Sequence, residues 1–179
     1  LTDREFFGGS LDYISKIRQS VALPVLRKDF IVDQYQIWEA RAAGADAILL
    51  ISEVLSEGEV VDFMILAQEL GMTTLVEAHD MGNLLKVQQY VGFPHAGYGL
   101  LGINNRNLST MKTDLNHSIR MVDVIDDTTI VVSESGISEP EDLDKLRLHG
   151  VHIVLVGESL MKQSDPGKAL ATLIRMNPS

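Results

Sequence analysis

Six apolar runs recur along the chain, at residues 23–26, 45–51, 73–76, 100–103, 129–132 and 151–156. None alternates apolar with polar positions. Uninterrupted Val/Ile/Leu runs of this length read as strands covered on both faces, the mark of a parallel sheet. Between them the apolar spacing shifts to three and four, which predicts helices. Tyr35, Trp38 and Ala42 make one such set; Val60, Phe63, Met64, Ala67 and Leu70 make another, stopped by Gly71. Leu84, Leu85, Val87 and Gln88 follow Asp80. Further sets are Ile119, Val122 and Ile125; Leu143, Leu146 and Leu148 before Gly150; and Leu170, Leu173 and Ile174. Ser138 and Glu141 have the spacing of a capping box, with Pro140 in the first turn. Tyr35, Trp38 and Met64 are expected in the core.

A leading helix at 11–20 and six strand–helix units predict a parallel β/α architecture with right-handed crossovers. No linker, low-complexity tract or longer repeat interrupts the rhythm, so residues 1–179 read as a single domain. The stretch 92–99, GFPHAGYG, reads as a loop inserted before the fourth strand. Six units fit an open doubly wound sheet or an incomplete barrel, because a full barrel needs eight units and about 250 residues. The first run lacks the G-x-G-x-x-G that would follow it in a dinucleotide-binding fold.

Composition narrows the chemistry. Twenty-five acidic against fifteen basic residues give a net charge of −10. That argues against nucleic acid as a partner, though a local basic cluster can still hold a small anion. With no Cys, disulfides, thiol nucleophiles and Cys-ligated metals are excluded. The five His residues show no metal-ligand spacing and read as structural or surface residues, so no metal site is expected from them. No apolar run approaches the roughly 18 residues of a membrane span. No secretory pattern opens the chain, and the cytoplasm is the expected compartment. The first residue is Leu rather than Met, as in a processed chain or a piece of a longer one.

In a β/α barrel the reacting groups sit where strands end. Here the runs end in Arg27-Lys28-Asp29, Ser52-Glu53, Glu77, Asn104-Asn105-Arg106, Ser133-Glu134-Ser135-Gly136 and Gly157-Glu158-Ser159. A single charged strand end usually just faces solvent; six in one register weaken that reading. Lys28 suits a general acid, and Glu77 with Glu134 could divide acid, base and orienting roles. Asn104 can hold a hydroxyl or carbonyl, and Arg106 can fork onto a carboxylate. The turns at Ser135-Gly136 and Gly157-Glu158 suit backbone binding of a phosphate. The Glu158 carboxylate would repel that phosphate unless it points away and only its N–H contributes.

Several blocks carry a resemblance: LTDREFFGGS at 1–10, LPVLRKDFI at 23–31, GADA at 44–47, LVE at 75–77, GINNRNL at 102–108, SESGI at 133–137 and LVGESLM at 155–161. In this order they resemble indole-3-glycerol phosphate synthase along the whole chain. The resemblance implies a (β/α)8 TIM barrel and a carboxy-lyase that needs no cofactor. It closes the indole ring of 1-(2-carboxyphenylamino)-1-deoxyribulose 5-phosphate, a step of tryptophan biosynthesis that releases CO2 and water. By similarity Lys28 is the general acid, and Glu77 serves the later proton transfer and dehydration. Glu134 and Asn104 orient substrate hydroxyls and Lys28. Arg106 places the anthranilate end, and Phe7 and Phe30 line the aromatic pocket. Ser135, Gly136, Gly157 and the Glu158 backbone hold the phosphate.

The family pattern also has two earlier strands, a helix and an anion-binding Lys ahead of the point matching Leu1. The expectation is therefore a barrel of about six units, inactive or weakly active alone. Two other readings stay open. One is a non-catalytic fragment whose open sheet edges would allow self-association or partner capture. The other is a different phosphate-binding barrel, such as phosphoribosylanthranilate isomerase, whose Cys base this chain lacks.

Overall fold

Each apolar run supplies a strand, with bounds shifted by local hydrogen bonding. The structure is a computed structural model that describes residues 1–91, 99–107, 110 and 112–176. Its strands are β1 (Leu26–Arg27), β2 (Ala47–Ile51), β3 (Thr73–Ala78), β4 (Gly99–Asn104), β5 (Val131–Glu134) and β6 (Ile153–Leu155). The helices are α1 (Arg4–Phe7), α2 (Asp12–Ser20), α3 (Gln34–Ala43), α4 (Glu57–Glu69) and α5 (Met81–Val87), then α6 (Asn116–Val122), α7 (Pro140–Leu148), α8 (Glu158–Met161) and α9 (Pro166–Leu173). The short α1 and α8 have no apolar spacing to announce them. Of the predicted 92–99 loop, residues 92–98 lie outside the described residues, and Gly99 opens β4.

The chain forms two compact units, Leu1–Leu101 and Gly102–Ser179. In the first, β1 pairs parallel with β2 and β2 with β3, bringing Ile51 opposite Glu77. The start of β4 follows β3 in the strand order. Four successive residues of β2, from Ile48 to Ile51, are buried. A strand alternates its side chains between faces, so this run is covered on both. β1 is only two residues long because the Val25 N–H donates to the Asp46 carboxylate at 2.8 Å instead of to a neighbouring strand. In the second unit the order is β4, β5, β6, with β5 and β6 parallel and Glu134 opposite Leu155. β5 starts later than the apolar run suggests. Asp127 caps a 3-10 turn at Thr128–Ile130 that takes up the run's first residues.

Helix ends follow side-chain chemistry. Asp33 with Gln36, and Ser56 with Glu59, form capping boxes at α3 and α4. The α7 box departs from expectation: Glu139 is the cap and Asp142 its partner, with Ser138 one residue upstream. Proline fixes its own φ and favours the first helical position, so Pro140 puts the cap at 139. A second correction concerns α3. Tyr35 and Trp38 are 71% and 54% exposed, while Ile37 and Ala40 face the core. At about 100° per residue, 35 and 37 lie on nearly opposite sides of the helix. Met64 is buried as expected, whereas Leu85 and Leu148 are exposed. Among the described residues no helix is long and apolar enough to cross a membrane.

Candidate active site

In the first unit, Lys28 directly follows β1 and Glu77 is the penultimate residue of β3. The Lys28 ammonium donates to Glu77 Oε2 at 3.0 Å. Glu77 is only 3% exposed, so its charge is shielded from water. Ser52 fixes the main chain there: its N–H and its hydroxyl both donate to the Glu77 carbonyl, at 3.0 and 2.9 Å.

The other Glu77 oxygen faces a residue that the sequence left aside. His79 Nε2 lies 3.4 Å from Glu77 Oε1, and His79 Nδ1 lies 3.0 Å from Glu53 Oε2. The His79 main-chain N–H donates to Glu53 Oε1 at 2.8 Å, and Asn83 donates to the same oxygen. Burial would push the His79 imidazole down. The Glu53 hydrogen bond and the negative charges of Glu77 and Glu53 outweigh that, together with repulsion from Lys28, and raise its pKa. Burial likewise pushes Glu53 up, but the His79 hydrogen bonds and charge bring its carboxyl below the ordinary range. One sequence signal could have found His79. It stands two residues after Glu77, where strand geometry returns side chains to the same face.

Arg27 is structural. Its guanidinium is buried and donates to Glu39 at 2.8 Å and to the Gln36 carbonyl at 2.9 Å. Asp29 accepts from the Thr2 hydroxyl. Phe7 and Phe30 are 52% and 51% exposed.

The second unit holds the remaining candidates. Asn104 ends β4, and its Oδ1 accepts the Arg106 main-chain N–H at 3.0 Å. Glu134 ends β5 and is buried; its carbonyl accepts from the Asn105 N–H at 2.8 Å. Asn105 anchors the turn that follows. Its Nδ2 donates to Ser133 Oγ and to the Ser135 carbonyl, and its Oδ1 accepts from the N–H and hydroxyl of Ser118. This holds Ser135 and Gly136 at φ 67° and 73°. A left-handed backbone costs a residue with a Cβ about 1–2 kcal/mol, so the anchor matters at Ser135. At Gly136 a Cβ would come within 3.2 Å of the Thr113 Cβ. Ser159 donates to the Ile137 carbonyl at 2.8 Å, tying the turn after β6 to the turn after β5.

Gly157 caps α8 and has open space around its Cα. The Glu158 side chain accepts from the Arg106 guanidinium through one oxygen and from Lys162 at 2.5 Å through the other. The Lys162 and Arg106 hydrogen bonds bring its carboxyl down to about 2.

A family model described as indole-3-glycerol phosphate synthase matches residues 1–173. Curated relatives of that name are similar throughout. The one from Paracidovorax citrulli is 47% identical over 176 residues, covering 97% of this chain and 63% of the relative. The one from Rhodopirellula baltica is 48% identical over 165 residues, covering 92% and 61%. The chain thus spans less than two thirds of the length of these relatives. Among solved structures, 3-hexulose-6-phosphate synthase from Salmonella typhimurium superposes with a TM-score of 0.73 at 18% identity, covering 94% of this chain and 82% of that one. A chain of the tryptophan synthase complex from Pyrococcus furiosus gives 0.67 at 18%, covering 93% and 71%. At that identity the likeness is one of fold, and the strand–helix order is that of an incomplete (β/α)8 barrel.

Proposed function

The chain belongs to the indole-3-glycerol phosphate synthase family, and we propose from that membership that its residues serve the family's reaction in tryptophan biosynthesis. The substrate is a phosphorylated amino-ketose, 1-(2-carboxyphenylamino)-1-deoxyribulose 5-phosphate. Its carboxylate-bearing ring carbon attacks the ketone carbon. A carbon–carbon bond forms, the carbonyl electron pair moves to oxygen, and that oxygen takes a proton. Breaking the bond to the carboxylate releases CO2 and returns an electron pair to the ring. Loss of the new hydroxyl as water, with a proton from the adjoining carbon, completes the indole.

The Lys28–Glu77 pair carries this reading. An ammonium hydrogen-bonded to a carboxylate at 3.0 Å is a positioned proton source for the ketone oxygen. The buried Glu77 is then the group to accept the proton lost during dehydration. Arg106 suits the anthranilate carboxylate as a guanidinium fork. The turns at Ser135-Gly136 and Gly157-Glu158 suit the phosphate through main-chain N–H groups. Glu134 and Asn104 have the polarity to orient the hydroxyls of the sugar chain, and Phe7 and Phe30 offer exposed rings to the aromatic end.

Calorimetric binding of the substrate and its product, with turnover followed by indole fluorescence, tests the assignment. Lys28→Ala is expected to keep substrate binding and abolish turnover. Turnover that survives Lys28→Ala, or a chain that binds neither molecule, would overturn it.

A further inference from the structure

The Glu77 carboxylate is held from two sides. Lys28 Nζ takes Oε2 at 3.0 Å, and His79 Nε2 faces Oε1 at 3.4 Å. His79 in turn is held by Glu53 through ring and main chain, at 3.0 and 2.8 Å. We propose that His79, oriented by Glu53, is a positioning residue for Glu77 that fixes the plane of its carboxylate and supplies a second positive charge beside it. This role rests on the reading above, in which Glu77 moves a proton.

The argument is geometric. The last torsion of a glutamate has a broad, two-fold profile, so each contact on its two oxygens helps to set the plane of the carboxylate. Lys28 donates to one oxygen, and His79 Nε2 stands within ion-pair reach of the other, which narrows that freedom. The ring nitrogens of a neutral imidazole are one donor and one acceptor, whereas the imidazolium donates from both. Between two carboxylates the doubly donating form satisfies both neighbours. Among the described residues, Glu53 beyond β2, Glu77 of β3 and Lys28 beyond β1 are charged groups that face His79.

The charge has a chemical use. When Lys28 gives up its proton it becomes a neutral amine and no longer balances Glu77. A charged His79 keeps a positive neighbour beside the carboxylate through that step. Coupling of this kind is reciprocal: if the Glu77 charge favours His79 protonation, protonated His79 favours ionised Glu77 by the same amount.

The chain labelled at its imidazole nitrogens, followed by NMR against pH, tests the coupling without any need for turnover. His79 should titrate above the ordinary imidazole value of 6.5 and move to lower pH in both Glu53→Gln and Glu77→Gln. A His79 that titrates at or below the ordinary value, or that ignores Glu77→Gln, overturns the proposal. Kinetics supply the second arm. His79→Ala should lower kcat about tenfold, the effect of roughly 1.4 kcal/mol on the barrel's reaction, with KM nearly unchanged. His79→Gln, which keeps an N–H donor, should recover part of kcat. Unchanged kcat, or a loss confined to KM, counts against the proposal. If the wild-type chain binds no substrate, the functional reading fails and the NMR arm still decides the coupling.

Discussion

Glu158 gives one carboxylate oxygen to the guanidinium of Arg106. The side chain that raised the question of repelling a phosphate is thereby spent on two cations, Arg106 and Lys162. Under the role proposed for Arg106, a substrate carboxylate would compete with Glu158 for its guanidinium.

Glu158→Gln should therefore lower KM, by up to about fivefold, the scale of an exposed ion pair. Steady-state kinetics with the amino-ketose substrate measures this. A KM that stays put or rises would remove Arg106 from the carboxylate-binding role.

The Glu53–His79 pair should leave a signature in thermal stability. His79 has a raised value when folded, so it adds stability that is complete below its ordinary 6.5 and fades as pH climbs through the raised value. Glu53 has a lowered one, so it adds stability that is complete above its ordinary 4.5 and fades as pH falls through the lowered value. The melting-temperature gap between wild type and Glu53→Gln should thus be widest between pH 4.5 and 6.5. About 2–4 °C is expected there, as for 1 kcal/mol in a chain of this size. Melting curves across pH 4 to 9 check it; a gap that widens toward high pH would be the wrong sign.

Asn105 is the keystone of a buried polar cluster, with Ser118 Oγ also 2.8 Å from Ser133 Oγ. Asn105→Ala would strand several buried donors and acceptors at once. A loss of about 2–4 kcal/mol in urea unfolding is expected, the sum of one or two unsatisfied groups. If the turn binds phosphate as proposed, that affinity should fall with it, because the Ser135 carbonyl loses its anchor. Calorimetry with inorganic phosphate measures the second effect.

Gly136 and Gly157, in the two turns proposed to bind phosphate, should respond differently to alanine. Gly136→Ala meets a left-handed backbone and a 3.2 Å approach to Thr113, and should cost about 1–2 kcal/mol. Gly157 has a negative φ and open space, so Gly157→Ala should leave stability within about 0.5 kcal/mol. Equal losses in denaturant titrations would contradict this account of the turns.

The strand–helix order was legible because runs such as 47–51 are buried on both faces and cannot alternate. The strand-end candidates were legible for the same reason: Lys28, Glu77, Asn104 and Glu134 each mark where an apolar run gives way to polar chemistry. Helix phase was less so. Tyr35 and Trp38 have the right spacing but the wrong face, because Ile37 and Ala40 win the core. His79 is hidden by its type, since an imidazole without metal-ligand spacing reads as a structural or surface residue, and its partner Glu53 is 26 residues away in sequence. The grip of Glu158 on Arg106 spans 52 residues, and no local pattern announces it.

Ser52 grips the main chain of Glu77 and leaves its carboxylate to others. Scaffold and reagent are thus fastened by separate bolts at the end of β3. A designer could exchange the residue at position 77 for a different acid, base or nucleophile and still find the backbone where it was. The strand end behaves as a reusable socket, and new chemistry at that point requires changing the plug rather than rebuilding the wall.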